Sequence, residues 1–170
     1  MKNGIDGTSV EGVRNSKYLE QVPNIRIELH STKSLVPVLW WRSVGHSHIG
    51  FVMESIIDEM AHASKQDPVA YRQKLLNSER HLSALNLAAE KSSWGEPLPG
   101  GHFRGVAVHE SFRSYVAMVT EISIENEKLK IHKVTCAIDC GLAVNPNGVV
   151  SQMEGGIIFG LSAALYGEIT

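Results

Sequence analysis

Two stretches of this 170-residue chain hold residue types that could do chemistry. The first runs Trp40-Trp41-Arg42-Ser43-Val44-Gly45-His46-Ser47-His48. Arg42 follows two indoles and opens a turn into a helix. Helix N-termini attract anions, and a guanidinium offers a two-pronged fork to phosphate or another oxygen-rich group. The plainer reading is a structural arginine stacked on an aromatic ring. The second stretch is Asp139 to Gly160, DCGLAVNPNGVVSQMEGGIIFG. Gly155, Gly156 and Gly160 fall in one apolar helical segment, where each costs roughly 1 kcal/mol relative to alanine. Such a cluster suggests that something approaches the backbone closely. Gln152 and Glu154 interrupt the apolar run. Gln152 can both donate and accept; a backbone partner would satisfy it, and so would a heterocycle with mixed donors and acceptors.

Three further groupings have plainer readings. His46 and His48, with Glu54 as the nearest third donor, would make a small metallohydrolase site, but two histidines two apart are weak evidence for zinc. Capping and loop hydrogen bonds account for them. Ser111 and Ser114 lie near His109, yet nothing around them resembles a nucleophile elbow. Cys136 and Cys140, four apart on a strand, would stand roughly 13 Å apart on one face. That is too far for a disulfide, and buried free thiols are expected.

The elements that must position these residues follow from periodicity. Residues 1–22 show none and read as a mobile lead-in. Residues 24–29 alternate polar and apolar, a half-buried strand pattern, and Leu35 to Trp41 is a second extended candidate with Pro37 favouring an edge. After the turn at 42–48, Phe51, Val52, Ile56, Met60 and Ala63 trace one face of a helix. Asp67-Pro68 caps and starts a second helix whose apolar side is Val69, Leu75 and Leu76. Residues 81–91 form a third. A loop at 94–102, rich in glycine and proline, separates this segment (23–93) from a β-meander plus helix (103–170). Three strands are expected at 104–110, 115–124 and 129–138. Val116, Met118, Thr120, Ile122 and Ile124 share one face of the middle strand. The apolar phase switches near His132-Lys133 in the last, which predicts a bulge. The final helix, about 148–165, carries Val149, Met153, Ile157, Leu161 and Ala164 on its face. Helices, then a meander, then a helix is an α+β order rather than alternating βα units.

The net charge is −2 and the basic residues are scattered, so there is no nucleic-acid footprint. No apolar run reaches membrane-spanning length, and the N-terminus lacks the apolar core of a signal peptide. With two cysteines and no disulfide framework, a cytoplasmic compartment is the default expectation.

Three ordered blocks carry a family resemblance. They are Val38 to His48 running into Glu54 to Ala61; Gly105 to Phe112; and the Asp139-Cys140-Gly141, Asn145-Pro146, Gln152-Met153-Glu154-Gly155 series. Together they resemble the large, molybdenum-cofactor-binding subunit of the xanthine dehydrogenase and aldehyde oxidoreductase family, over roughly residues 9–170. The wider family usually has Arg-Gly-Phe-Gly where this chain has Arg42-Ser43-Val44-Gly45, which favours the isoquinoline-type branch. The resemblance implies that Arg42 and its turn, Gly45 included, lie near a molybdopterin cytosine dinucleotide and that Gln152 hydrogen-bonds its pterin side. It implies hydroxylation of an N-heterocycle or aldehyde, with oxygen from water and electrons leaving through a partner iron–sulfur subunit, in a cytoplasmic or periplasmic complex.

It also implies a truncated or internal piece. The family's glycine-rich cofactor segment lies upstream, and its catalytic glutamate lies in a downstream Gly-Glu motif. Gly167-Glu168 looks like that motif but falls just after the Gln152 helix, so it is not assigned the role. Glu54, Glu59 and Glu154 match family helix positions read as structural. Such a piece is expected to be inactive alone, to bind little or no cofactor, and to self-associate through uncovered apolar faces. The alternative is a stand-alone binding or scaffold domain that keeps the fold without the chemistry.

Overall fold

The computed structural model describes residues 6–168. They divide into two compact units, one ending at Asp139 and one beginning at Cys140. The first contains helices α1 (His46–Ala63), α2 (Pro68–Leu75) and α3 (Glu79–Lys91), then strands β1 (His102–Ser111), β2 (Ser114–Glu125) and β3 (Lys128–Asp139). The strands form an antiparallel meander in the order β1-β2-β3. The second unit holds α4 (Pro146–Tyr166). This is the expected α+β architecture.

Local chemistry sets the element boundaries. Asp67 accepts the Ala70 N–H at 2.9 Å ahead of Pro68, and Asn145 accepts the Gly148 N–H at 3.1 Å ahead of Pro146. Each is a capping side chain followed by a proline whose missing N–H costs nothing at that position. Both hairpins turn on two residues with positive φ: Phe112 and Arg113 at 50° and 66°, and Asn126 and Glu127 at 50° and 62°. That is the geometry that matches strand twist in a two-residue loop. Glu121 faces Lys133 while Ile122 faces Ile131. His132 is therefore the extra, bulged residue, at the position the phase switch predicts.

The core lies between α3 and one face of the sheet. Ala84, Leu85 and Ala88 pack with Val106, Val108, Ala117, Val119 and Ala137, and Met53, Ile57 and Val69 close the side. Alanines on both layers let the helix approach the strands closely. The expected apolar face of α1 is corrected here, and that of β2 is shared as expected but turned away from α3. On α1 the buried residues are Met53, Glu54, Ile57 and Ala61, whereas Phe51, Val52, Ile56 and Met60 are exposed. On β2 the residues under α3 are Ala117 and Val119. Val116, Met118, Thr120 and Ile122 share the opposite, half-buried face, with Ile124 exposed. Both elements are apolar on two sides, and periodicity alone cannot say which side meets α3.

The N-terminal expectations also change. Within the expected lead-in, whose residues 1–5 lie outside the described residues, two short 3-10 turns form at Gly7–Val10 and Lys17–Gln21. Tyr18 anchors them, 4 % exposed in the core. Turns this short carry no hydrophobic period, which is why the sequence hides them. Residues 24–29 and 35–41 pair with no strand, and the second segment opens on a bend at Leu35-Val36, so neither is a strand of the sheet.

In α4, Val149, Met153, Ile157 and Leu161 are half-buried, as expected, but Ala163 rather than the expected Ala164 continues the stripe, and no residue is fully buried. The helix reaches 21 residues because it begins at Pro146, ahead of the apolar run. By length and composition it is long and apolar enough to cross a bilayer. Core helices of soluble proteins are as long and apolar but mostly buried, and none of this apolar stretch of α4 is buried.

Candidate functional site

The first candidate stretch folds into a tight turn that feeds α1. The Val44 N–H donates to the Trp41 carbonyl at 3.1 Å, and Val44 takes a positive φ of 50°. The Ser47 hydroxyl donates back to the Val44 carbonyl at 2.8 Å. Gly45 precedes the first helical residue and is buried. A Cβ there would sit 1.9 Å from the Thr8 carbonyl oxygen, so only glycine lets the first 3-10 turn rest on the start of α1.

Against this turn lies a cavity of about 560 Å³, walled by Asp6, Thr8, Ser9, Val38 to Trp41, Val44, Gly45, Ser47 and His48. It falls within the size range of small-molecule and cofactor sites. Its walls combine two indoles with a few polar groups. The Trp40 indole N–H reaches Asp6 Oδ2 at 3.4 Å. Two bonds from Thr8 hold the Asp6 carboxyl below the usual range. His48 Nε2 lies 3.1 Å from the Ser9 carbonyl oxygen. Arg42 is exposed in the same turn, and Gly45 lines the cavity. Gln152 is exposed on α4 in the second unit. Two of the three predicted contacts thus share one turn.

The region behind the turn holds groups that sequence reasoning passes over. Arg72 is fully buried on α2. Its Nε donates to Glu54 Oε2 at 2.9 Å, Nη2 donates to the Glu54 carbonyl at 3.1 Å and stands 2.9 Å from Oε2, and Nη1 donates to Asp58 at 2.5 Å. Glu54 Oε2 also accepts the Val108 N–H at 2.9 Å. One carboxylate therefore joins α1, α2 and β1. Burial pushes the Glu54 carboxyl up, and the Arg72 charge and Val108 N–H oppose that push. Burial and the neighbouring Glu54 charge push the Tyr18 hydroxyl up as well. A sequence signal for this lock exists: Glu54 and Arg72 both fall in phase with buried apolar neighbours, Met53 and Ile57 on α1 and Val69 on α2.

His46, the first residue of α1, brings Nδ1 within 2.8 Å of His109 Nε2 on β1. One ring donates and the other accepts. Burial, then His46, push His109 down to about 4. The metallohydrolase reading fails on this geometry. His46 is committed to His109, His48 faces Ser9, and Glu54 belongs to Arg72. Among the described residues no cluster of three His, Cys, Asp or Glu could hold a metal ion. Ser111 and Ser114 face each other across the first hairpin, and Cys136 and Cys140 are free and half-exposed.

A model of the molybdopterin cofactor-binding domain matches residues 53–170. Among curated proteins, the chain is 35% identical over 150 residues to the beta subunit of isoquinoline 1-oxidoreductase from Brevundimonas diminuta, covering 85% of this chain and 19% of that one. It is 28% identical over 166 residues to a nicotinate dehydrogenase subunit of Pseudomonas putida, covering 86% and 14%. It is 26% identical over 149 residues to a "Membrane-bound aldehyde dehydrogenase [pyrroloquinoline-quinone]" of Gluconacetobacter polyoxogenes, covering 75% and 19%. The chain thus spans a fifth or less of the length of these relatives. No solved structure matches it. The cavity suits part of an organic heterocyclic cofactor: indole faces for stacking and polar groups at the rim.

Proposed function

The chain belongs to the molybdopterin cofactor-binding domain family, and from that premise we propose that it forms one wall of the cofactor site in a larger oxidoreductase subunit. That enzyme would hydroxylate N-heterocycles or aldehydes with oxygen from water and pass electrons to an iron–sulfur subunit. The names of the relatives, with isoquinoline, nicotinate and aldehyde among them, support the substrate class. The observation that carries the reading is the indole-walled cavity on the Trp41–Gly45 turn, in a chain whose family binds molybdopterin.

Arg42 supplies a fixed cation beside this turn for the phosphates of a molybdopterin cytosine dinucleotide. Gly45 lets the first 3-10 turn close on the start of α1, which sets the wall that Thr8 and Ser9 give the pocket. Gln152 offers a donor and an acceptor to the pterin edge. The bound cofactor would supply the redox centre. This chain orients it and keeps water off one face. In this reading the residues described above bind and orient the cofactor, the general base comes from elsewhere in the subunit, and the chain alone is inactive.

Two measurements test this. Titration of the purified chain with a soluble pterin is expected to quench Trp40 and Trp41 fluorescence, and Trp40→Ala to weaken the quench. No quench at saturating pterin would remove the pocket from the site. Metal analysis is expected to find no stoichiometric molybdenum, and assays no turnover of a heterocycle. Molybdenum at one equivalent with turnover would overturn inactivity of the isolated chain. A second reading, a binding domain without chemistry, is favoured by the first unit having its own core and buried ion pair. Cooperative unfolding together with pterin binding that never supports turnover, even when the remaining family segments are supplied, would select it.

A further inference from the structure

We propose that residues 24–30 form an association strand that pairs antiparallel with the same strand of a second copy of this chain. The segment Asn24-Ile25-Arg26-Ile27-Glu28-Leu29-His30 belongs to no helix, turn or strand of the fold. Among the described residues, no hydrogen bond reaches the backbone of residues 24–33. Its side chains are nevertheless already sorted as in a sheet. Ile25 and Ile27 line a hollow with Arg14 to Lys17, Leu19, Glu20 and Glu110. On the other side Arg26 pairs with Glu28, and His30 lies 3.5 Å from Glu28. Residues two apart meet along one face, which is strand geometry. An ordered strand with unpaired backbone is a template for another strand.

The sequence around Ile27 is self-complementary. Antiparallel pairing centred there sets Ile27 against Ile27 and Ile25 against Leu29. It sets Arg26 of each copy against Glu28 of the other, twice. Opposite charges across a strand pair stabilise it, and like charges destabilise it. Parallel, in-register pairing would instead face Arg26 with Arg26 and Glu28 with Glu28, so the charges select both the partner and its direction. The outer strand β3 carries Lys128, Lys130 and Lys133 along its length, a charge pattern that discourages pairing at that edge. An isolated two-stranded ribbon is marginal in water. The dimer is therefore weak and fills only at high protein concentration.

Amide hydrogen exchange on the whole chain, over about a hundredfold range of concentration, tests the proposal. Amides of 24–30 are expected to gain about tenfold protection or more at the high end, with residues 31–41 unchanged. Arg26→Glu and Glu28→Arg should each abolish that gain, because each sets like charges opposite one another in the homodimer. An equimolar mixture of the two variants should restore it, since the paired acidic side chains of one variant then meet the paired basic side chains of the other. Both positions are exposed and outside the core, so far-UV circular dichroism should be unchanged. Four results would overturn the proposal: protection that ignores concentration, which would mean pairing within one chain; no protection at any concentration; insensitivity to either charge swap; or failure of the mixture to recover it.

Discussion

Helices α1, of 18 residues, and α4, of 21, each follow a turn, each carry glycine beside apolar residues, and each bring a predicted cofactor contact. They are held in opposite ways. α1 is locked through Glu54 to Arg72 and β1, its leading glycine rests on Thr8, and its first side chain meets His109. α4 has a cap at one end, no fully buried residue, and glycines at 155, 156 and 160 around which a Cβ would meet nothing within 4 Å. The same residue types therefore do different work. In α1 they are consumed by the fold. In α4 they remain open to whatever covers that helix.

The largest test of this contrast is Arg72→Ala. It leaves the buried Glu54 carboxylate without its cation and is expected to cost about 3–5 kcal/mol, read as a lower urea midpoint. Replacing Glu54 and Arg72 together, by Gln and Met, removes both charges and keeps an acceptor for the Val108 N–H. It should recover much of the loss, because a buried ion pair can often be removed whole without penalty where the replacements pack well. A small effect of Arg72→Ala would mean that α1 is no better anchored than α4. Next comes Gly45→Ala. Its Cβ cannot coexist with the Thr8 carbonyl, so the first 3-10 turn must move, at about 3 kcal/mol for overpacking against backbone. Because the same turn walls the cavity, Trp40 emission should shift as well. Unchanged emission would separate the glycine from the pocket.

The His46–His109 contact predicts a pH dependence. Folding pushes His109 from 6.5 down to about 4, so the unfolded chain takes up its proton first as pH falls. Stability is then fully present above about pH 6.5, declines from there to about pH 4, and is flat for this group below that. The loss should be about 2 kcal/mol once solvent screening of the partly exposed ring is allowed for. Burial lowers His81 in the same direction. His109→Gln should therefore remove the larger share of the slope between about pH 7 and about pH 4.5, but not all of it. An unchanged slope would assign the titration elsewhere.

The features behind these tests differ in how plainly the sequence reveals them. α2, the hairpins and the His132 bulge are legible because each depends on a local signal: Asp67-Pro68, the short polar link at 125–128, and a break in period two. The turn at Arg42 is legible for the same reason. The buried side of α1 is not, because Phe51, Ile56 and Met60 make as good an apolar stripe as Met53, Ile57 and Ala61. Arg72, 18 residues beyond Glu54, decides between them. The His46–His109 pair spans 63 residues and has no local signature. Residues 24–29 show the opposite failure. The alternation is real, with Ile25 and Ile27 on one side and Arg26 and Glu28 on the other, yet a strand needs a neighbour, and a neighbour is not written in so short a run.

The smallest expected effect returns to α4. Gly156→Ala fills open space on a helix and removes the excess backbone freedom of glycine, so it should stabilise the helix by about 1 kcal/mol. Far-UV circular dichroism during a thermal melt would read it. The sign is the informative part, because the same substitution type at Gly45 is expected to destabilise. A gain at 156 means that the chain itself has no use for that glycine, and that its value lies in admitting a close neighbour beside Gln152. A loss at 156 would mean that α4 already packs closely in the isolated chain, and the contrast with α1 would collapse.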